Sequence, residues 1–254
     1  LDGDEISAMQ GDVLRRQRRR LQMVFQDPIS SLNPRRVCGE IVAEPLRIAG
    51  GFGEAEILAR VERALETVGF DPHAVWSRRP HEFSGGQCQR ISLARAIVAD
   101  PQFLICDEPV SSLDVSVQAQ ILNLLEDMKA RYGLTMIFIS HDLAVIKQVS
   151  DRVAVMYLGR LCELAPADAM YARPRHPYTA ALLACVPRVD RPTRYDASDR
   201  PILEGELPSP IDPPSGCRFR TRCPRAQTRC ANEVPEMREL AQEHRVACHF
   251  PLDA

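Results

Sequence analysis

Short apolar segments alternate with amphipathic helical segments along this chain, and this alternation constrains the fold more than any other sequence feature. Residues 103–106 and 135–139 are apolar runs of strand length, and residues 117–131 between them carry apolar residues at helical spacing up to Gly133. Strands that are apolar throughout are typical of parallel sheets covered on both faces. The pattern predicts an α/β fold in which helices cover both faces of a mainly parallel sheet, with both apolar runs as buried strands.

The alternation extends to both sides of this region. It predicts a strand at residues 21–25, helices at 54–68, 88–99 and 142–149, and one or two further strands within 152–164. Of the 20 prolines, seven lie in residues 1–165 and 13 in residues 166–254. We therefore predict a packed body over residues 1–165, with a small helical subdomain at about 35–98, and a loop-rich extension over residues 166–254.

Charge and hydropathy exclude several classes of protein. The 32 basic residues nearly balance the 34 acidic ones, so the net charge of the chain does not favour binding to nucleic acid or to an anionic membrane. No run of 18 uncharged apolar residues is present, so no membrane-spanning helix is expected. The acidic start, residues 1–5, does not have the pattern of a secretory signal peptide.

Two carboxylates follow the apolar run at residues 103–106. Asp107 and Glu108 should lie at the carboxyl end of that strand, where open α/β sheets bind their ligands. One carboxylate could hold Mg²⁺ while the next orients a water molecule for attack on a γ-phosphate. A solvated strand end that has no function explains the pair equally well at this stage.

Two other segments could contact the same phosphate groups. Ser84-Gly85-Gly86-Gln87 directly precedes a helix, so its backbone N–H groups could bind an anion, although a glycine pair is often only a turn. His141 follows the strand at 135–139, in the sequence Ser140-His141-Asp142. Between them, Asp114 ends a turn that could form a subunit contact.

In this order, the segments resemble the nucleotide-binding subunit of an ABC transporter. The matching motifs are its Q-loop, signature, Walker B, D-loop and switch histidine: Gln26, Ser84-Gly85-Gly86-Gln87, Asp107-Glu108, Ser112-Leu113-Asp114 and His141. The resemblance implies a head-to-tail dimer that encloses two ATP molecules. Catalytic roles would fall to Glu108, His141 and Gln26, Mg²⁺ binding to Asp107 and Gln26, and contact with the partner's nucleotide to residues 84–87 and Asp114. Phe83 replaces the leucine that usually begins the signature.

Three further segments narrow the resemblance. Residues 26–35, 176–183 and 213–219 are similar to the oligopeptide/dipeptide importer branch, and most similar to the second, F-type, of its two ATPase subunits. The resemblance implies a subunit that energises peptide import from the cytoplasmic face of the inner membrane. Its partners would be a second ATPase subunit, two membrane permease subunits and, indirectly, a peptide-binding protein, with no nucleic acid. An ABC-type DNA-repair ATPase is disfavoured, because Ser84 lies only 58 positions after Gln26, which leaves too little room for a long coiled coil.

One expected motif is absent from residues 1–254. ATP hydrolysis in this fold needs a G-x-x-x-x-G-K-[ST] loop, yet the two lysines of the sequence are Lys129 and Lys147. The resemblance places the missing loop roughly twenty residues before Leu1. We therefore expect the P-loop strand and helix to be missing and residues 1–254 to be inactive alone. The alternative is a non-hydrolytic partner that only contributes its signature to another subunit.

Four of the nine cysteines lie close together in the extension: Cys217, Cys223, Cys230 and Cys248. Four thiolates can bind zinc or an iron–sulfur cluster, and the C-x2–4-C pairs usual for zinc are absent. The family resemblance implies a [4Fe–4S] cluster, and four free thiols are the alternative. The arginine-rich run at residues 15–20 is interpreted as a solvated helix face.

Overall fold

A computed structural model describes Leu1, residues 3–186 and residues 205–253. Its residues form two compact units, residues 1–141 and 142–254. This division lies upstream of the boundary predicted near residue 165, because the strand at residues 160–166 pairs with a strand near the C-terminus. None of the described helices is both long and apolar enough to cross a bilayer.

The first unit contains a parallel sheet of three strands. β1 (Leu21–Val24), β2 (Phe103–Asp107) and β3 (Thr135–Ile139) lie in the order β1-β2-β3. Leu21 is opposite Phe103, and Phe103 is opposite Thr135, so the carboxyl ends of the three strands meet at one edge. The mainly parallel sheet predicted from the alternating pattern is therefore present in this unit.

The α-helices that accompany this sheet are α1 (Gly11–Arg20), α2 (Pro28–Ser31), α3 (Cys38–Ala49), α4 (Glu54–Thr67), α5 (Pro72–Val75), α6 (Gly85–Ile97) and α7 (Val115–Tyr132). α3 to α6 lie within the range predicted for the helical subdomain. Their apolar stripes meet in a core whose fully buried side chains include Leu46, Leu65 and Ile91. Burial of each such side chain stabilises the fold by about 1.5–3 kcal/mol.

β3 is not the buried strand that its apolar sequence predicted. Ile137 and Ile139 are 53% and 46% exposed, on the same face of the strand. β3 is the last strand in the sheet order, and no strand among the described residues pairs with its outer edge. The sequence pattern was that of a central strand, whereas the structure places this strand at an edge.

The second unit is built around an antiparallel sheet. Its elements are α8 (Leu143–Val149), β4 (Arg152–Tyr157), β5 (Arg160–Pro166), α9 (Ala167–Ala172), α10 (Pro177–Ala184), α11 (Thr228–Asn232), β6 (Arg238–Ala241) and β7 (His244–Val246). The strand order is β4-β5-β7-β6. The strands expected within 152–164 are present, but they form a hairpin instead of extending the parallel sheet. Leu158 and Gly159 both have positive φ (44° and 74°), which closes the tight turn between β4 and β5.

Candidate functional site

Glu108 has an unusual backbone conformation just beyond the end of β2. Its φ of 44° lies in the left-handed region, which costs a non-glycine residue on the order of 1–3 kcal/mol. Two hydrogen bonds hold this conformation. The Glu108 N–H donates to the Ile139 carbonyl at 3.0 Å, and the Ser111 hydroxyl donates to the Glu108 carbonyl at 3.1 Å. Such strain is often found at functional sites, where a side chain must be presented in one direction.

The Glu108 carboxylate is held from two sides. Gln26 Nε2 donates to Glu108 Oε2 at 2.9 Å, and His141 Nδ1 lies 3.1 Å from Glu108 Oε1. The Glu108 side chain is 23% exposed and that of His141 is 73% exposed, so the group opens to solvent. The structure thus brings together three residues that are far apart in the sequence, each just beyond the carboxyl end of one strand of the parallel sheet.

Gln26 is fixed by the short helix that follows it. Asp27 caps α2 by accepting hydrogen bonds from Ile29 N–H at 3.0 Å and Ser30 N–H at 3.1 Å. The hydrogen bonds from Ser30 lower the pKa of Asp27, so its carboxylate stays ionised and the cap is retained. Because β1 ends at Val24 and α2 begins at Pro28, the Gln26 backbone is anchored on both sides.

Asp107 occupies the last position of β2, opposite Ile139 of β3. It therefore lies at the same strand end as Glu108. The Asp107 carboxylate and the Gln26 amide carbonyl supply oxygen atoms of the kind that Mg²⁺ prefers as ligands. The chemistry of these donors fits a magnesium ion bound together with the phosphates of a nucleotide.

Ser84 to Gln87 form the N-terminus of α6. Ser84 Oγ accepts from Gln87 N–H at 3.3 Å, while Gln87 Oε1 accepts from Ser84 N–H at 2.9 Å. This reciprocal pair is a capping box, which fixes the first turn of the helix. An anion at this position would therefore be bound mainly by backbone N–H groups and by the positive end of the helix.

The two glycines of this segment contact the turn around Asp114. A Cβ added to Gly86 would lie 2.5 Å from Val117 Cγ1, and one added to Gly85 would lie 3.8 Å from Leu113. Asp114 caps α7 by accepting from Val117 N–H at 3.0 Å. Its hydrogen bonds, that from the Ser116 side chain foremost, lower its pKa. The sequence motifs placed both segments at the site but did not predict this contact, because nothing in either segment indicates that they touch.

The four clustered cysteines line one cavity in the second unit, together with His176 and Phe219 among others. Cys230 and Cys248 are buried, and Cys217 and Cys223 are half-buried. Burial raises the pKa of Cys217 and Cys223, and that of Cys248 to about 11.

The backbone brings two of these cysteines together. Cys217 N–H donates to the Cys230 carbonyl at 2.8 Å, and this approach needs glycine at 216, where a Cβ would lie 2.4 Å from that carbonyl oxygen. Among the described residues, no group of three or more His, Cys, Asp or Glu side chains is arranged to hold a metal ion. The cysteines therefore share a cavity without forming a tight single-ion site.

Part of each unit matches a protein family model. Residues 1–111 match the ABC transporter family model, and residues 162–230 match the model for the C-terminal region of oligopeptide/dipeptide transporters.

Sequence comparison with individual proteins indicates the same family. The oligopeptide transport ATP-binding protein OppF of Escherichia coli is 52% identical over 247 residues, which cover 97% of this chain and 73% of OppF. AppF of Bacillus subtilis, also an oligopeptide transport ATP-binding protein, is 49% identical over 249 residues, covering 98% of this chain and 75% of AppF.

A solved structure supports the fold. CbiO1 of Clostridium perfringens, part of an ABC transporter complex, aligns with a TM-score of 0.58 at 29% identity over 64% of this chain and 63% of its own. The resemblance expected from the motifs is confirmed: this chain belongs to the ATP-binding proteins of ABC transporters, in the oligopeptide/dipeptide transporter branch.

Proposed function

We propose that this chain is the ATP-hydrolysing subunit that energises the import of di- or oligopeptides through an ABC transporter. The observation that carries the proposal is the clamp of Gln26 and His141 on the Glu108 carboxylate. About 50% identity to oligopeptide transport ATP-binding proteins over nearly the whole chain supports the substrate class.

Each residue of the clamp has a separate task. Glu108 accepts a hydrogen bond from the attacking water and orients it toward the γ-phosphate of ATP. Gln26 and His141 restrict the carboxylate to one orientation, which lowers the entropic cost of reaching the reactive geometry. Asp107 and the Gln26 carbonyl would hold Mg²⁺, which neutralises charge on the phosphates when it is bound.

We also propose that the signature acts across a head-to-tail dimer with a second ATPase subunit. Residues 84–87 present the N-terminus of α6, a 13-residue helix whose first backbone N–H groups suit a phosphate of the partner's nucleotide. Asp114, on the turn that packs against Gly85 and Gly86, would lie at the same dimer contact. The assembly would include two membrane permease subunits and receive peptide from a binding protein, at the cytoplasmic face of the inner membrane and without nucleic acid.

The loop that holds the ATP phosphates is proposed to come from a segment before Leu1. The outer edge of β3 supports this proposal, because Ile137 and Ile139 expose apolar surface where a further strand and its helix would pack. The natural protein that contains residues 1–254 together with that segment is called the complete subunit. A non-hydrolytic partner is the second candidate, favoured by the absence of a G-x-x-x-x-G-K-[ST] sequence within residues 1–254.

Uptake of peptide into membrane vesicles tests the proposed function. Vesicles that contain the permease subunits, the second ATPase subunit and the complete subunit should accumulate a labelled tripeptide when ATP and the binding protein are supplied. Vesicles without the complete subunit should show only background uptake. The proposal fails if uptake does not depend on the complete subunit, or if vesicles containing all components accumulate no peptide.

For the cysteine cavity we propose a [4Fe–4S] cluster bound by Cys217, Cys223, Cys230 and Cys248. The donors fit the group, because four thiols on one cavity are the usual ligands of such a cluster. The C-x2–4-C pairs that are usual for zinc sites are absent from the sequence, which favours a cluster over zinc.

Metal analysis tests this assignment. The complete subunit, purified without oxygen, should be brown and contain about four irons and four acid-labile sulfides per chain. The quadruple Cys→Ser variant at these positions should be colourless and iron-free, whereas Cys185→Ser, which removes an exposed thiol outside the cavity, should keep its iron. Colourless protein with one zinc per chain, or with no metal, contradicts the cluster.

A further inference from the structure

A buried carboxylate lies beside the cysteine cavity. Glu163, in the middle of β5, is fully buried. It accepts hydrogen bonds from the backbone N–H groups of Arg175 at 2.7 Å and His176 at 2.9 Å, and its Oε1 lies 2.6 Å from His244 Nε2. A carboxylate in this environment is costly unless it is well paired, and these three contacts offset the cost.

One of the three contacts fixes a wall of the cavity. His176 lines the cavity, and its ring lies 5.8 Å from that of Phe219, which lines it as well. Its Nδ1 accepts from Tyr178 N–H at 3.1 Å, so this nitrogen carries no proton. Burial agrees with a neutral ring, because it lowers the pKa of His176 to about 4. The His176 side chain caps α10 and its carbonyl accepts from Ala180 N–H at 3.1 Å, while its own N–H is bonded to Glu163.

Backbone hydrogen bonds near the other two contacts hold the segment that carries Cys248. Val246 of β7 is opposite Glu163, and Ala247 N–H donates to the Cys162 carbonyl at 2.8 Å. Beyond Cys248, Leu252 N–H donates to the Arg175 carbonyl at 2.8 Å, and an Arg175 guanidinium N–H returns a bond to the Leu252 carbonyl at 3.3 Å. Cys248 lies between these two sets of bonds, one next to Glu163 and one at a residue bonded to it, and an Arg238 guanidinium N–H also donates to the Cys248 carbonyl at 2.6 Å.

We infer that Glu163 is the positioning residue of the cysteine cavity: through His176, Arg175 and His244 it keeps the walls of the cavity and Cys248 in place. This assigns a role to the His-Pro-Tyr segment at residues 176–178, which the ATPase site leaves unexplained. The inference rests on the proposed cysteine site for the identity of the ligand, but its structural part concerns the metal-free protein.

The test uses the thiols themselves. In the metal-free complete subunit, Cys185 should react first with a disulfide reagent at pH 8, and the four cavity cysteines slowly, because they are wholly or partly buried. In Glu163→Gln, an NH₂ group replaces one of the two carboxylate oxygens. This group cannot accept a hydrogen bond from the N–H donors that face it. We expect the cavity cysteines, identified by peptide mass mapping, to react about 10-fold faster and metal affinity to fall 10–100-fold, as for other supporting residues of metal sites.

A matched control and a second variant complete the test. Glu236→Gln alters an exposed carboxylate of the second unit that does not line the cavity, and it should leave both readouts unchanged. If Glu163→Gln also exposes Cys38 and Cys106 of the first unit, it has unfolded the protein, and His244→Ala, which removes one of the three donors, decides the question. Faster labelling confined to the four cavity cysteines then supports the inference.

Each remaining outcome is decisive. A Glu163→Gln variant with the labelling rates and metal affinity of the wild type would overturn the inference. If Glu163→Gln unfolds the protein, a His244→Ala variant that labels like the wild type, or that also unfolds, would overturn it as well. If the wild type binds no metal while the labelling difference persists, the proposed ligand fails and the positioning role of Glu163 stands.

Discussion

Replacing Glu108 with glutamine is expected to lower the ATPase rate of the complete subunit by about 10²–10⁴-fold and to leave ATP binding nearly unchanged. An amide has almost the same shape as the carboxylate but cannot accept a proton from the attacking water. Gln26 and His141 would still hold the side chain, since an amide offers the oxygen that Gln26 Nε2 contacts at 2.9 Å in the native site. The loss should therefore appear in kcat and not in nucleotide affinity.

The matched control is Glu126→Gln, which alters an exposed carboxylate on α7. It should retain the full ATPase rate. A Glu108→Gln subunit that hydrolyses ATP near the wild-type rate would remove Glu108 from its assigned role. Equal losses in both variants would show that the effect comes from altered charge or folding.

Residues 1–254 expressed alone are expected to be poorly soluble and to lack ATPase activity. The span contains no G-x-x-x-x-G-K-[ST] sequence to hold the phosphates. It also exposes Ile137 and Ile139 on β3, whose outer edge is unpaired among the described residues. Apolar surface beside an open strand edge promotes association between chains.

Sedimentation and phosphate release measure both parts of this prediction, with the complete subunit as the control. The complete subunit should be soluble, monodisperse in the absence of ATP, and active. If residues 1–254 alone are monodisperse and hydrolyse ATP, the account of the nucleotide site is wrong. A soluble but inactive complete subunit would instead favour the non-hydrolytic partner.

The parts of the structure that depend on local sequence were predictable. Helical spacing located α4 and α7, and the apolar runs located β2 and β3 almost to the residue. The parallel sheet was predicted from the same pattern, and it explains why Gln26, Glu108 and His141 meet: each stands just beyond the carboxyl end of a neighbouring strand.

Features that depend on distant partners were not predictable. Ile137 and Ile139 are exposed on one face of β3, which the apolar sequence of this strand does not reveal. The β4–β5 hairpin turns back at Leu158 and Gly159, and Leu158 gave no sign of its positive φ. The buried Glu163–His244 pair joins residues 81 positions apart, and no spacing rule connects them.

Retention of ATP by the Glu108→Gln complete subunit tests the central claim, that Glu108 activates water at an ATP site closed by a second signature. The measurement is the amount of nucleotide that remains with the dimer after gel filtration, and whether it is ATP or ADP. We predict two ATP molecules per dimer, both unhydrolysed, when the second ATPase subunit carries the matching glutamine substitution. Bound ADP in place of ATP, or a variant that stays monomeric and releases its nucleotide, would contradict the claim.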